Sequence, residues 1–224
     1  LPLSMSSFMV CWCFGWIIVY AHLVIDVIDN GGQFTHREWR MLRSLGVYTK
    51  IFLNKTPIFE FREVDWLILS GGAARVGLTG RLGNCAEYLN LDVPILGICA
   101  GHQFMADFYG GNSAEASKPE FGEAKITLIE DGGELFQNTP QNQMGWESHN
   151  DEVINIPPGF KITAFSESCQ IQAMENENRT RFGLQFHPEV DHSEYGEQII
   201  SNFVKVCSLA KNNPWVNGQI EEGQ

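Results

Sequence analysis

The sequence predicts an α/β fold: an open, mostly parallel twisted sheet flanked by helices, with a nucleophile elbow and a smaller antiparallel strand region. Three observations lead there. Short β-branched runs alternate with amphipathic segments over residues 23–110, the pattern of βαβ units. One apolar run, Val93-Pro-Ile-Leu-Gly-Ile, stops abruptly at Cys99, which has Gly97 and Gly101 two positions to either side. After Gly110 the apolar segments shorten and turn residues separate them.

Leu23-Val-Ile-Asp-Val-Ile reads as the first core strand, closed by the turn signal Asp29-Asn-Gly-Gly. Thr35 is placed to cap a helix, with Glu38 three residues on as the other half of a capping box, and Trp39, Leu42 and Leu45 follow at helical spacing before Gly46. Residues 47–53 predict a second strand, Asp65-Trp-Leu-Ile-Leu-Ser-Gly-Gly a third, and residues 82–91 a helix. Ile95-Leu-Gly-Ile is the strand that delivers Cys99 to a tight turn, and residues 101–109 have helical composition. A thiol there sits at a helix N-terminus, where free N–H groups and the dipole favour thiolate. Downstream, strands are predicted at 125–129, 161–165, 171–175 and 181–186, an acidic loop around 146–152, and a closing helix over 193–211. In such sheets active sites gather at the carboxyl ends of the strands.

The chain divides into a hydrophobic extension (1–22), one domain (23–211) and a frayed tail (212–224). A chain of 224 residues, 44% hydrophobic, without linker or repeat, fits a single core. The run from Phe8 (FMVCWCFGWIIVY) approaches a membrane span only if residues needed for the first strand are added, and it lacks the basic start and small cleavage residues of a signal peptide. It is read as a mis-called start or a dispensable extension, with a membrane anchor as the alternative. A net charge of -12 excludes a nucleic-acid surface. Cys11, Cys13, Cys85, Cys99, Cys169 and Cys207 form no CxxC pair, which points to free thiols in a reducing, cytoplasmic setting; the lone CxC lacks a second ligand pair, so no metal site is expected.

Two further segments carry chemistry. In Phe182-Gly-Leu-Gln-Phe-His-Pro-Glu-Val, an extended backbone projects His187 and Glu189 to the same side, and Pro188 stiffens the pair. A thiol, a histidine and an orienting carboxylate are the parts of a cysteine-nucleophile triad. Leu69-Ser-Gly-Gly, at a strand end, lets backbone N–H groups approach a reacting carbonyl as an oxyanion hole requires, or is an ordinary turn. The Ala73-Ala-Arg that follows does not support a phosphate loop.

Gly97-Ile-Cys-Ala-Gly-His-Gln, Ser70-Gly-Gly and His187-Pro-Glu resemble the class I (triad) glutamine amidotransferases, over residues 23–209. Within that family, Asp29-Asn-Gly-Gly-Gln-Phe-Thr-His-Arg-Glu-Trp-Arg, Trp146-Glu-Ser-His-Asn-Asp-Glu-Val and His187-Pro-Glu-Val are most similar to the stand-alone amidotransferase subunits of archaeal-type GMP synthases. The hydrophobic extension and Ala73-Ala, where a proline-containing sequence is common, depart from the pattern. The resemblance implies a glutaminase with Cys99, His187 and Glu189 as catalytic residues, the N–H groups of Gly72 and Ala100 as the oxyanion hole, and Gly71, Gln103, Ser148, His149, Asn150 and Asp151 holding glutamine. Gln103 also lies one helical turn beyond Cys99. It implies no cofactor in this chain, and a separate ATP-pyrophosphatase (synthetase) subunit that holds ATP and Mg and takes the ammonia. A component of another synthase, such as anthranilate synthase, is the alternative within the family. A cysteine peptidase or chaperone of the elbow fold would commonly carry His where Ala100 stands, and a silent interaction subunit would tend to have lost Cys, His or Glu.

Overall fold

The computed structural model describes residues 9–11, 16–18, 23–61, 64–130 and 132–211. In the extension, Met9–Cys11 (β1) pairs antiparallel with Trp16–Ile18 (β2); the other expectations placed on residues 1–22 and 212–224 lie outside the described residues.

The domain is built on one nine-stranded sheet. Its strands are β3 (Ile25–Asp29), β4 (Ile51–Leu53), β5 (Trp66–Leu69), β6 (Ile95–Ile98), β7 (Asn112–Leu128), β8 (Asn142–Asn155), β9 (Phe160–Phe165), β10 (Ala173–Asn176) and β11 (Arg181–Leu184). They lie in the order β4-β3-β5-β6-β11-β10-β9-β7-β8. The first five are parallel, and from β11 onward every neighbour is antiparallel. The helices are α1 (Thr35–Ser44), α2 (Val76–Thr79), α3 (Cys85–Leu89), α4 (Ala100–Phe108) and α5 (Gly196–Lys211).

Strand alternation sorts the apolar residues onto two faces. Ile25, Val27, Ile68, Leu96, Ile98, Phe182 and Leu184 pack with Leu42 of α1 and Ile199, Phe203 and Cys207 of α5. Ile28, Leu67, Leu69 and Ile95 face the other way, onto Tyr88 of α3 and Met105 of α4. Both faces of the parallel half are covered, so its strands read as continuous apolar runs. Each fully buried Leu, Ile or Phe contributes roughly 1.5–3 kcal/mol.

Several local expectations change. The strand predicted over 47–53 shortens to β4, an edge strand, preceded by one bridge between Tyr48 and Val24; the Lys50 amide donates to the Asp26 carboxylate at 2.8 Å instead of to a strand. The helix predicted over 82–91 shortens to α3, because Gly83 adopts a left-handed φ of 54° just before it. No capping box forms. The α1 N-cap is Phe34, Thr35 donates its hydroxyl to Asp29 Oδ1 at 3.0 Å, and Glu38 turns inward and is buried. The acidic loop around 146–152 is part of strand β8, which pairs with β7 along nearly its whole length. Hydrophobic periodicity is silent there, because Gln143, Glu147, His149 and Asp151, on its buried face, are polar.

His102, inside α4, is fully buried and donates from Nε2 to the Ile171 carbonyl at 3.2 Å, while Nδ1 faces Gly183 and has no partner. Burial pushes its pKa down to about 3, against the opposing hydrogen bond to Ile171. The unfolded chain therefore binds a proton between pH 6.5 and about 3 that the folded chain excludes. Stability associated with neutral His102 is complete above pH 6.5 and is lost as pH falls through that window. Urea unfolding of His102→Gln from pH 7 to pH 4 should show a slope against pH shallower by up to about 1.4 kcal/mol per unit than the wild type.

Candidate active site

The parallel register decides what meets at the carboxyl edge. Leu69 pairs with Gly97 and Leu184 with Ile98, so the chain leaving β5, β6 and β11 presents Gly71, Cys99 and His187 side by side. They line a cleft of about 360 Å³, together with Gly72, Gln103, Ser148, His149, Asn150 and Asp151. Glu189 and Ala100 stand behind this wall, both buried. The structure thus gathers every candidate residue in or beside one cleft.

Cys99 has φ 49° and ψ −107°, a left-handed conformation that costs a non-glycine residue about 1–3 kcal/mol. Its amide donates to the Leu184 carbonyl at 2.8 Å, and its thiol lies 3.8 Å from the Ser148 carbonyl. The turn closes because a β-carbon on Gly97 would lie 2.6 Å from the Gly101 carbonyl oxygen, so only glycine fits. Ala100 is the first residue of α4, and its N–H belongs to the first turn, which has no acceptor inside the helix.

His187 is fixed on every side. Its amide donates to Trp146 O at 2.8 Å, the Ser193 hydroxyl donates to its carbonyl at 2.6 Å, and the Phe34 ring packs edge-on at 4.8 Å between centroids. Nδ1 lies 2.7 Å from Glu189 Oε1, with both side chains buried, which leaves Nε2 for the thiol. Burial disfavours charge on His187, but the Glu189 carboxylate and the neighbouring Cys99 outweigh it and hold the pKa well above the ordinary histidine value. Gly71 separates nucleophile and base closely: a β-carbon there would lie 2.9 Å from His187 Cε1 and 3.4 Å from Cys99 Cβ.

The remaining candidates are already partly engaged. Gln103 Nε2 donates to the Asp151 carbonyl at 2.6 Å and to Gln185 Oε1 at 3.1 Å, leaving its Oε1 for a ligand. The Asp151 carboxylate accepts from Arg75 Nε at 2.8 Å and from the Gly77 amide at 3.1 Å, so it anchors the Gly71–Gly77 segment before it can meet a ligand. His149 sends Nδ1 to the Asp151 carbonyl at 3.0 Å and Nε2 to Glu120 at 3.1 Å and Glu147 at 3.3 Å. Burial opposes its charge, but the two carboxylates prevail and push it up to about 10. Asn150 is exposed at the rim.

Sequence reasoning missed Arg75 and Glu38 as cleft residues. Arg75 lies on the wall, held by Asp151 and Glu115. Its cue was Ala73-Ala-Arg directly after the strand-end glycines. Glu38 is 2% exposed, and neither carboxylate oxygen has a hydrogen-bond partner. Desolvation raises its pKa well above the carboxylate range, the nearby Glu189 raises it further, and His187 pulls the other way. Burial thus favours the neutral form of Glu38 beside the His187–Glu189 pair.

Residues 26–207 match the model of the glutamine amidotransferase class-I family. The chain is 44% identical over 188 residues to the glutamine-hydrolysing subunit of GMP synthase from Thermoplasma acidophilum, covering 83% of this chain and 94% of that protein. The corresponding protein of Pyrococcus abyssi is also 44% identical, covering 82% and 98%. A solved Thermoplasma acidophilum structure superposes with a TM-score of 0.80 at 43% identity, over 84% of this chain and 96% of that one. A Thermotoga maritima glutamine amidotransferase shares the fold, with a TM-score of 0.63 at 19% identity over 87% and 88% of the two chains.

The spacing at Gly71 can be tested without any substrate. Gly71→Ala pushes the His187 ring away from Cys99, so alkylation of Cys99 by iodoacetamide at neutral pH, followed by mass spectrometry, should slow severalfold while far-UV circular dichroism is unchanged.

Proposed function

This chain belongs to the class I glutamine amidotransferases, and from that membership we propose that it is the glutamine-hydrolysing component of a two-chain GMP synthase, releasing ammonia to a separate synthetase. The observation that carries the reading is the strained Cys99 facing His187, whose other nitrogen is held by Glu189 at 2.7 Å. The names of relatives 44% identical over more than four fifths of the chain support the choice of acceptor.

Cys99 gives its thiol proton to His187 Nε2, and the thiolate attacks the side-chain amide carbon of glutamine. The amide oxygen takes up negative charge facing the N–H groups of Gly72 and Ala100; one such donor is typically worth about 2.7–4 kcal/mol of barrier. As the carbon–nitrogen bond breaks, His187 returns the proton to the nitrogen, ammonia leaves and a glutamyl thioester remains. His187 then takes a proton from water, the hydroxide displaces the thiolate, and glutamate and the thiol are restored. Glu189 keeps the imidazole in one tautomer and stabilises its charged form in both halves. Arg75, braced by Asp151, meets the α-carboxylate of glutamine, and Gln103 Oε1 and the Ser148–Asn150 edge meet its polar head.

Ammonia released into water is protonated and loses its nucleophilicity, so the acceptor reaction belongs in a synthetase docked over this cleft. ATP and magnesium act there, and the glutaminase chemistry needs no cofactor. The buried free thiols Cys85, Cys169 and Cys207 support a reducing, cytoplasmic location. Among the described residues no helix is long and apolar enough to cross a membrane.

Cys99→Ala should abolish glutamine-dependent GMP formation in the presence of the synthetase, ATP and xanthosine monophosphate, while ammonia-dependent formation persists. Glutaminase turnover in that variant would overturn the mechanism. Glu189→Gln keeps an acceptor without the charge and should lose less activity than Cys99→Ala. Arg75→Ala removes a charged contact to substrate, so the KM for glutamine should rise roughly tenfold with a smaller change in kcat. An unchanged KM would remove Arg75 from the binding site.

A further inference from the structure

A second cavity, of about 340 Å³, lies beside β7 and β8, and its lining includes Glu120, Glu147 and Ser166. We propose that Glu120, Glu147 and His149 form a binding site for a divalent first-row cation of the zinc or manganese type on the inner wall of this cavity.

Strand register assembles the three ligands. Glu120 of β7 and His149 of β8 are directly paired, and Glu147 stands two residues before His149 on the same buried face. Each offers one donor atom, and the three atoms lie within 4.8 Å of one another. Nε2 of His149 is 3.1 Å from Glu120 Oε2 and 3.3 Å from Glu147 Oε2. Donors held about 2.0–2.1 Å from one tetrahedral ion are roughly 3.3–3.4 Å apart, so a small shift of these side chains suffices to seat one.

The outer contacts are those a metal site needs. Nδ1–H of His149 donates to the Asp151 carbonyl at 3.0 Å, which turns Nε2 toward the two carboxylates, where an ion would displace its proton and take up its lone pair. Ser166 Oγ donates to Glu120 Oε1 at 2.9 Å, and Gln172 Nε2 donates to Glu120 Oε2 at 2.9 Å, fixing that carboxylate. Glu147 is the independent sign of a ligand. It is 1% exposed, and neither of its oxygens receives a hydrogen bond, so a buried carboxylate is aimed into the cluster with only the His149 ring nitrogen to meet it. Such a group demands a cation. A proton on Nε2 and a divalent ion are alternative occupants of that point.

One imidazole and two carboxylates, without sulfur, suit zinc or manganese better than calcium or magnesium, and the cavity leaves room for a water as fourth ligand. A bound ion would clamp β7 to β8 and set the His149 ring that lines the other cleft. The site is independent of the reaction proposed above, because ion binding is read without turnover.

The test is titration of the chelator-stripped full chain with zinc chloride by calorimetry, and with manganese chloride by electron paramagnetic resonance. One ion per chain should bind, and Glu120→Gln and Glu147→Gln should each weaken binding roughly tenfold or more. Anomalous diffraction at the zinc edge should place the ion among the three side chains in wild-type crystals, a readout that stands even if a variant fails to fold. Absence of saturable binding to the wild type, equal binding by both variants, or an ion located elsewhere would overturn the proposal.

Discussion

The left-handed backbone of Cys99 is stored strain, and it persists only because both sides of the turn are immobile. On one side β6 is paired to β5 and β11, and the Cys99 amide itself is tied to Leu184. On the other, α4 begins at once, and Gly101 packs against the Leu69 carbonyl so closely that no β-carbon could intervene. Relaxing the turn would break parallel pairing, helix start and core packing together. The same three strands also set where the base arrives, because β11 is the direct neighbour of β6 and its continuation carries His187.

Around this scaffold the cleft is an arrangement of buried charge. His187 has Glu189 as a partner at 2.7 Å and Glu38 as a second carboxyl nearby, and two carboxylates beside one imidazole cannot both ionise freely. Burial shifts Glu38 toward its neutral form, which lessens its competition with Glu189 for His187. His149 sits in the opposite balance, between two carboxylates that overcome its desolvation. Two histidines on one cleft therefore both favour the charged form, yet each has its own carboxylate partners: Glu189 for His187, and Glu120 and Glu147 for His149.

The antiparallel half makes these placements possible. Its longest strands, β7 with 17 residues and β8 with 14, pair into one ribbon that carries Ser148, His149 and Asp151 against the mouth of the parallel half. Asp151 then reaches across to Arg75 and Gly77, tying the ribbon to the loop after β5. One wall of the cleft is thus polar inside as well as outside, and its internal pairs replace the apolar contacts that hold the sheet elsewhere.

Much of this was legible in the residues alone. The elbow at Cys99 could be read because a nucleophile on a tight turn needs glycines at fixed offsets, and the His187–Glu189 pair because extended backbone puts alternate residues on one side. The parallel core could be read because strands covered on both faces must be apolar throughout. The sequence did not disclose β8, since its inward positions are Gln143, Glu147, His149 and Asp151, and a strand whose buried face is polar has no hydrophobic period. Nor did it disclose Glu38, which has the spacing of a capping residue but is turned into the cleft, or Arg75, whose position depends on Asp151 in a strand 76 residues away. Local rules of spacing and turn chemistry determined the nucleophile and its base. Pairing between distant strands decided which polar groups are buried together, because the cost of burial is met only by partners that no local stretch of chain contains.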